Sequence, residues 1–178
     1  MIGRPAATEF APYYANYISQ APGDDPLTLL EAGLVDTPKF YAAIPEQKSL
    51  FRYAPDKWSL REALNHVNDA ERVFAFRALW FARGYTDALP SFDQNVAVVS
   101  SLADNVAWPQ HIVEFRAIRA ATLTLFKNLP DEAWMLSGVA SNNRFTVRAL
   151  AWIIAGHDAH HQRIAREKYL SPPAPHLV

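Results

Sequence analysis

The chain has 178 residues, the length of one ordinary domain, and half of them are hydrophobic, which is enough to build a full core. Its 17 Lys and Arg residues nearly balance its 18 Asp and Glu residues, and no window concentrates one sign, so nucleic acid and anionic lipid are not expected partners. There is no cysteine, which excludes disulfides, thiolate zinc sites and a protein thiol nucleophile. Any thiol chemistry must therefore use an external thiol.

The sequence shows no recognisable targeting or membrane segment. Its first residues include Arg4 but no apolar stretch like that of a signal peptide. The apolar runs, such as residues 149–155, are too short to span a bilayer. We therefore expect a cytoplasmic protein with no membrane partner.

Residues 1–25 are predicted to form an ordered N-terminal arm, because their prolines resist long regular structure while three tyrosines offer rings for packing. The first long helix is predicted to begin at Asp25 and Pro26, with Asp as the N-cap and Pro at the first helical position. Pro38 is expected to kink or split this helix.

A second helix is predicted from Ser59 to about Arg83. Ser59 and Glu62 have the spacing of a capping box, and Gly84 follows the C-terminal end. Apolar residues recur at helical spacing along one face. His66 lies on the wall of that face, about two turns into the helix.

The connection over residues 85–105 is long for a helical bundle, so we expect it to pack against the helices as a lid or rim. A third helix is predicted over residues 109–128 and a fourth over residues 145–169. No alternation of apolar and polar residues is long enough to predict a sheet.

The economical architecture is an all-α four-helix bundle. We assign residues 1–25 to the N-terminal arm, residues 26–170 to the bundle and residues 171–178 to a proline-rich C-terminal tail.

Two histidines occupy the apolar face of the fourth predicted helix. His157 and His161 are four residues apart, so their side chains stack one turn above the other and are able to share an ion. Few hydroxyl or amide side chains flank them, so their buried rings need another partner. A catalytic zinc site commonly takes three protein ligands and leaves one position open, and His66 would complete that count.

The remaining histidines have weaker claims as ligands. His160 points about 100° away from His161 around the helix and is expected at the surface or at an interface. His111 lies on the core face of the third helix and is kept as a less favoured fourth ligand or pocket wall. His176 is read as a surface residue of the tail. Asp69 has the position to orient a ligand, although a surface charge is the favoured interpretation.

Other metal sites fit less well. The segment from His157 to His161 matches a His-Asp-x-x-His variant of the zinc-protease pattern, in which Asp158 would activate water. Asp reaches less far than Glu, and the only His, Asp or Glu residues after the motif are Glu167 and His176. The paired Glu-x-x-His motifs of di-iron bundles do not occur. An ion-free core, in which the imidazoles bond one another and water, stays open.

Two segments resemble the signatures of the DinB-like (DinB/YfiT) superfamily. The first, KWSLREALNHVNDAER, runs from Lys57 to Arg72, and the second, GHDAHH, runs from Gly156 to His161 and is followed by Tyr169 and Leu170. They occur in this order about ninety residues apart. The resemblance covers roughly residues 26 to 170.

The resemblance implies an up-down-down-up four-helix bundle in which His66, His157 and His161 hold a metal, commonly zinc or nickel. It also implies a homodimer. Several such proteins are transferases or isomerases that use bacillithiol, mycothiol or glutathione, and others are candidate metal-dependent hydrolases. We therefore expect an enzyme for a small-molecule substrate, with Zn²⁺ (or Ni²⁺) and a low-molecular-weight thiol, that acts as an S-transferase or a related hydrolase. The alternative is a bundle that binds a metal or ligand without catalysis. No catalytic residue is assigned.

Overall fold

The computed structural model describes residues 2–171, so the proline-rich tail beyond Ser171, with His176, lies outside the described residues. Within that range the fold is helical, with a small hairpin. The helices are α1 (Ala15–Gln20), α2 (Pro26–Ala42), α3 (Leu60–Ala82), α4 (Gln94–Ser101), α5 (Trp108–Lys127) and α6 (Val147–Ile164). A π-helical turn, Ala165–Leu170, extends α6. In this part of the chain no helix is long and apolar enough to cross a membrane.

Helices α2, α3, α5 and α6 form the four-helix bundle, and the predicted fold class is confirmed. Around the bundle the helices contact one another in the cyclic order α2, α5, α3, α6. In this order α2 lies diagonally opposite α3, and α5 lies diagonally opposite α6, while the consecutive helices α3 and α5 are neighbours. This is the arrangement expected for up-down-down-up topology, and it makes α3 and α6 neighbours.

The predicted starts of the first two long helices are confirmed. The Asp25 carboxylate accepts a hydrogen bond from the backbone of Leu27, with Pro26 at the first position. At α3 the Ser59 hydroxyl accepts from the Glu62 backbone at 3.0 Å, and the Glu62 carboxylate accepts from the Ser59 backbone at 2.8 Å. These bonds satisfy donors that have no partner inside the helix.

Pro38 does not split the first long helix, because α2 continues through it to Ala42. The connection over residues 85–105 is packed, and it contains α4, which contacts α3. The prediction of no sheet was wrong. Strands β1 (Ser137–Ala140) and β2 (Asn143–Thr146) pair as an antiparallel hairpin. The fourth helix begins at Val147 rather than at residue 145, because β2 ends at Thr146.

The hairpin turn is formed by two residues in the left-handed region, Ser141 with φ 50° and Asn142 with φ 61°. Such a two-residue turn matches the twist of paired strands. Gly138 in β1 lies against Phe81 of α3, where a Cβ atom would come within 2.1 Å of the ring. The hairpin therefore covers the C-terminal end of α3.

A buried polar layer separates two apolar clusters in the bundle. One cluster is centred on Phe81, Phe126 and Trp152, and the other on Leu64, Phe115 and Tyr41. Between them all four long helices contribute buried polar side chains, namely Thr37, His66, Glu71, Arg119, His157 and Asp158. Since unpaired polar groups are costly to bury, this layer fixes how the helices align along the bundle axis.

The N-terminal arm packs on α6 by direct backbone contact. A Cβ atom at Gly156 would lie 2.0 Å from the carbonyl oxygen of Tyr17 in α1, so only glycine permits this approach. Gly156→Ala is expected to lower the free energy of unfolding by about 1–3 kcal/mol through overpacking, despite the better helix propensity of Ala. Denaturant unfolding measures this loss, and Ala159→Ser on the same helix is the control, since Ala159 is partly exposed. Equal stability of Gly156→Ala and wild type would contradict the packing argument.

Candidate metal centre

The structure brings His66, His157 and His161 together inside the bundle. His66 extends from α3, and the other two extend from successive turns of α6. One possible ligand nitrogen from each residue lies within 4.8 Å of the other two. The three rings meet because α3 and α6 are adjacent in the bundle and both bear histidine where they cross the polar layer.

The spacing of the nitrogen atoms suits a divalent cation. Nε2 of His66 lies 3.2 Å from Nε2 of His157. Two nitrogens that each bind a tetrahedral zinc ion at 2.0–2.1 Å are separated by about 3.3 Å. Nδ1 of His66 is buried and has no hydrogen-bond partner among residues 2–171. A cation that accepts one lone pair from each ring would hold the three rings together, and Nδ1 of His66, the ring nitrogen not facing His157, would then carry the proton.

Aromatic rings pack against the cluster. Trp58 packs against His66 with 5.0 Å between ring centroids, and Tyr17 packs edge-on against His157 at 5.2 Å. Burial lowers the pKa of His66 from 6.5 to about 4. The pKa values of His157 and His161 also lie well below 6.5, first because the rings are buried and second because neighbouring imidazoles disfavour a further positive charge. All three rings are therefore neutral at pH 7, with lone pairs ready for a metal.

These lowered pKa values predict a loss of stability of the metal-free protein in mild acid. Between pH 6.5 and about 4 the unfolded chain binds more protons at these histidines than the folded chain does, so the free energy of unfolding falls as the pH falls. For His66 alone the loss by pH 4 is on the order of 3 kcal/mol. Urea unfolding across this range, compared with His66→Gln, measures the contribution. Parallel pH profiles for the two proteins would contradict the prediction.

Two cavities reach the cluster. A cavity of about 260 Å³ is lined by His161 together with Trp58, Lys57 and Asn95. A smaller cavity of about 70 Å³ is lined by His66 together with aromatic residues and Arg77. Small molecules therefore have two routes to the three rings. We call these the His161 cavity and the His66 cavity.

The other sequence candidates lie outside the cluster. The prediction of His111 as a fourth ligand or pocket wall was wrong, because its Nε2 lies 3.0 Å from the Ala103 carbonyl and it joins neither the cluster nor the two cavities. His160 is partly exposed, and its Nδ1 lies 3.2 Å from the Gln20 amide. Asp69 accepts hydrogen bonds from Asn65 and Arg72, and no bond to His66 is formed.

Asp158 also faces away from the three histidines. It accepts hydrogen bonds from Thr37 at 2.8 Å, from Arg119 at 3.2 Å and from Gln162 at 3.1 Å. These contacts use both of its carboxylate oxygens. The role of a protease-like general base is therefore not supported, and Asp158 instead anchors α6 to α2 and α5.

The comparisons with known proteins agree with this geometry. The family model of the DinB superfamily matches residues 29–165. The chain belongs to the DinB superfamily. A comparison with curated protein sequences found no significant match. Among solved structures, the fold is similar to YfiT from Bacillus subtilis, with a TM-score of 0.66, 13% sequence identity and 91% of each chain covered. That protein is described as a probable metal-dependent hydrolase with an unusual four-helix bundle topology.

Sequence reasoning about this DinB protein missed several residues near the site. Tyr17 of the arm and Trp58 before α3 form aromatic walls, and Arg77 and Arg119 are buried at 3% and 1% exposure. The signal for Arg77 was available, since it lies eleven positions after His66, three helical turns along the same face. Buried arginine is rare, so a pattern based on hydrophobicity assigns it to the surface.

Proposed function

We propose that this DinB protein is a divalent-metal-dependent enzyme for a small-molecule substrate, with His66, His157 and His161 as the metal ligands. The cluster of three neutral imidazole nitrogens within 4.8 Å carries the proposal. No fourth His, Asp or Glu from residues 2–171 joins the cluster, which favours an open site over a closed structural one. The adjoining His161 cavity gives a substrate access to that open position.

The protein supplies a positioned and partly buried environment for this chemistry. A bound divalent ion would lower the pKa of a water molecule or of a thiol placed at the open position. The aromatic rings of Trp58 and Tyr17 reduce the exposure of His66 and His157 to water, which strengthens electrostatic interactions at these two ligands. In the His161 cavity, Lys57 and Asn95 offer donors that would hold polar groups of a substrate.

Within this class we propose an S-transferase that uses an external low-molecular-weight thiol, or a related hydrolase, with Zn²⁺ or Ni²⁺ as the ion. Imidazole ligands suit both metals. The absence of cysteine means that the reacting sulfur would come from a small molecule. Hydrolysis is the activity named for YfiT, whose fold this chain shares at 13% identity. Family analogy is the support for thiol transfer.

The decisive experiment starts with elemental analysis of untagged protein, because an expression tag itself binds nickel. Consumption of an activated aryl halide is then followed with glutathione, bacillithiol or mycothiol, and hydrolysis of a nitrophenyl ester is followed without thiol. We expect activity that chelation abolishes and that the added metal restores. Thiol-dependent turnover selects the transferase, and thiol-independent turnover selects the hydrolase. Activity that is indifferent to chelation would overturn the metal-dependent proposal.

A second candidate is a bundle that binds an ion or ligand without catalysis. Its support is the burial of His66 and His157, each only 5% exposed, which is typical of a structural role. A full metal complement with no turnover in either assay, and no binding of thiols to the ion, would favour this candidate. A protein that takes up no metal would instead favour the ion-free core, in which the rings bond one another.

We further propose that the protein forms a homodimer and acts in the cytoplasm, as the family resemblance and the composition lead us to expect. Sedimentation equilibrium of untagged protein tests the first point. A molecular mass of twice 20.0 kDa is expected, and a concentration-independent mass of one chain would contradict it. Fractionation of the source cells tests the second.

A further inference from the structure

The guanidinium of Arg77 is a buried cation without an anionic partner. The residue is only 3% exposed. Its Nη2 donates to the Pro90 carbonyl at 3.0 Å and to the Ser141 hydroxyl at 3.0 Å, both neutral acceptors. No carboxylate in residues 2–171 forms an ion pair with it. The other buried arginines, Arg61 and Arg119, each pair with a carboxylate.

Arg77 lines the same cavity as a candidate metal ligand. The His66 cavity contains Arg77 at one end of its α3 wall and His66 at the other, with Ala70 and Phe74 between them. Eleven residues of helix separate the two Cα atoms by about 16 Å, and since helical side chains tilt toward the N-terminus, we expect the longer arginine side chain to shorten this separation. The guanidinium and the histidine cluster are therefore separated by a distance on the order of 10 Å.

The cavity has the size and lining for a short organic acid. Its volume of about 70 Å³ corresponds to roughly five water molecules at 10–15 Å³ each, which is room for a short organic chain, because bonded heavy atoms lie closer together than water molecules do. Five of its eleven lining residues are Tyr or Phe, namely Tyr13, Tyr14, Tyr17, Phe74 and Phe92. An apolar body would contact these rings, while a terminal carboxylate would neutralise the guanidinium through charge-assisted hydrogen bonds.

We propose that Arg77 binds the carboxylate of a short organic acid whose opposite end reaches the histidine cluster. The inference rests on the proposed function, because that cluster is taken as the reacting centre. The carboxylate belongs either to the external thiol or to a second molecule, the electrophilic substrate. In both cases Arg77 sets the length and charge of the accepted molecule, because a buried cation left unpaired disfavours neutral analogues.

The first experiment uses the metal-free protein and therefore does not depend on the proposed function. Pentanoate is titrated into isotope-labelled protein while the Nε–H resonance of Arg77 is followed, with pentanol as the neutral control. We expect saturable shifts with pentanoate and none with pentanol. Failure of pentanoate to shift this resonance would overturn the carboxylate site, whether or not the histidines bind metal.

The second experiment tests whether one molecule binds the metal with its sulfur and Arg77 with its carboxylate. Mercaptocarboxylates from mercaptopropionate to mercaptohexanoate, and the matching mercaptoalcohols, are bound to Co²⁺-loaded protein, and sulfur-to-cobalt absorption reports binding at the metal. We expect the best-fitting acid to bind at least about tenfold more tightly than its alcohol. Arg77→Met should remove this preference, Arg77→Lys should retain part of it, and Arg72→Met on the exposed face of α3 should leave it unchanged.

The outcomes separate the possibilities. Failure of Co²⁺ to bind rejects the proposed function but leaves the pentanoate result as the test of Arg77. Competition between the mercaptocarboxylate and pentanoate indicates one molecule that spans the cavity, which assigns the carboxylate to the thiol. Joint binding of mercaptoethanol and pentanoate assigns it to the second substrate.

Equal binding of acids and alcohols, or an acid preference that survives in folded Arg77→Met, would overturn the proposal. Circular dichroism verifies folding, and Arg77→Lys serves if Arg77→Met does not fold.

Discussion

Replacing His66, His157 or His161 with alanine is expected to abolish tight metal binding. Each substitution removes one of only three nitrogen ligands in the cluster. The loss of affinity should exceed the about 10- to 100-fold cost that is typical of changing a residue behind a metal ligand. Isothermal titration with Zn²⁺ measures it directly. His160→Ala is the matched control, because this ring is the sequence neighbour of His161 but lies outside the cluster.

Thermal and chemical unfolding provide a second readout of the same prediction. At a free metal concentration of 100 times the dissociation constant, wild type should gain about 2.7 kcal/mol in free energy of unfolding. His160→Ala should gain a similar amount, whereas each of the three cluster variants should gain almost nothing. The comparison is made between metal-loaded and metal-free samples of each variant, so any packing cost of the substitution cancels. Wild-type affinity in any cluster variant would remove that residue from the site.

Part of the candidate site was predictable from the sequence, because helical periodicity determines which histidines lie on the same face of a helix. The four-residue interval between His157 and His161 places both on one face of a helix whatever the tertiary structure. His66 was predictable in position on its own helix, but periodicity alone does not say which helices are neighbours. That information came from the resemblance to the DinB superfamily, whose topology places α3 beside α6. The structure brings the three rings together accordingly.

Sequence reasoning missed the features in which tertiary contacts override the preference of a residue type for a strand or for the surface. The hairpin was not predicted because its strands have only four residues each, and because Gly138 and Asn143 are residue types with low strand propensity. On α5 the apolar residue Ile118 is partly exposed, while Arg119 next to it is buried. Charge normally places arginine at the surface, and only knowledge of its partners on α3 and α6 would reverse that assignment.

Arg119 leads to the second large expected effect, because it neutralises two buried carboxylates. Its guanidinium lies 2.8 Å from the Glu71 carboxylate and 3.2 Å from the Asp158 carboxylate. Burial alone would lower the pKa of Arg119, but the two carboxylates more than offset this effect and raise the pKa. Gly33 of α2 provides the necessary space, since a Cβ atom there would lie 2.3 Å from Nη1 of Arg119. The ion pairs therefore tie α3, α5 and α6 to one buried point, and the hydrogen bond from Thr37 to Asp158 adds α2.

Arg119→Met is expected to lower the free energy of unfolding by about 3–5 kcal/mol, the usual cost of leaving buried charges without their partner. The Met side chain fills much of the volume, so the loss reports mainly the two uncompensated carboxylates. Guanidinium chloride unfolding measures it. Arg72→Met is the control, because Arg72 is half exposed and pairs with Asp69 and Glu114 at the surface, where an ion pair contributes about 0–1 kcal/mol. If the two variants lose equal stability, the buried network does not hold the helices together. A large loss confined to Arg119→Met would instead identify the layer that aligns α3 with α6, and so the layer on which the convergence of the three histidines depends.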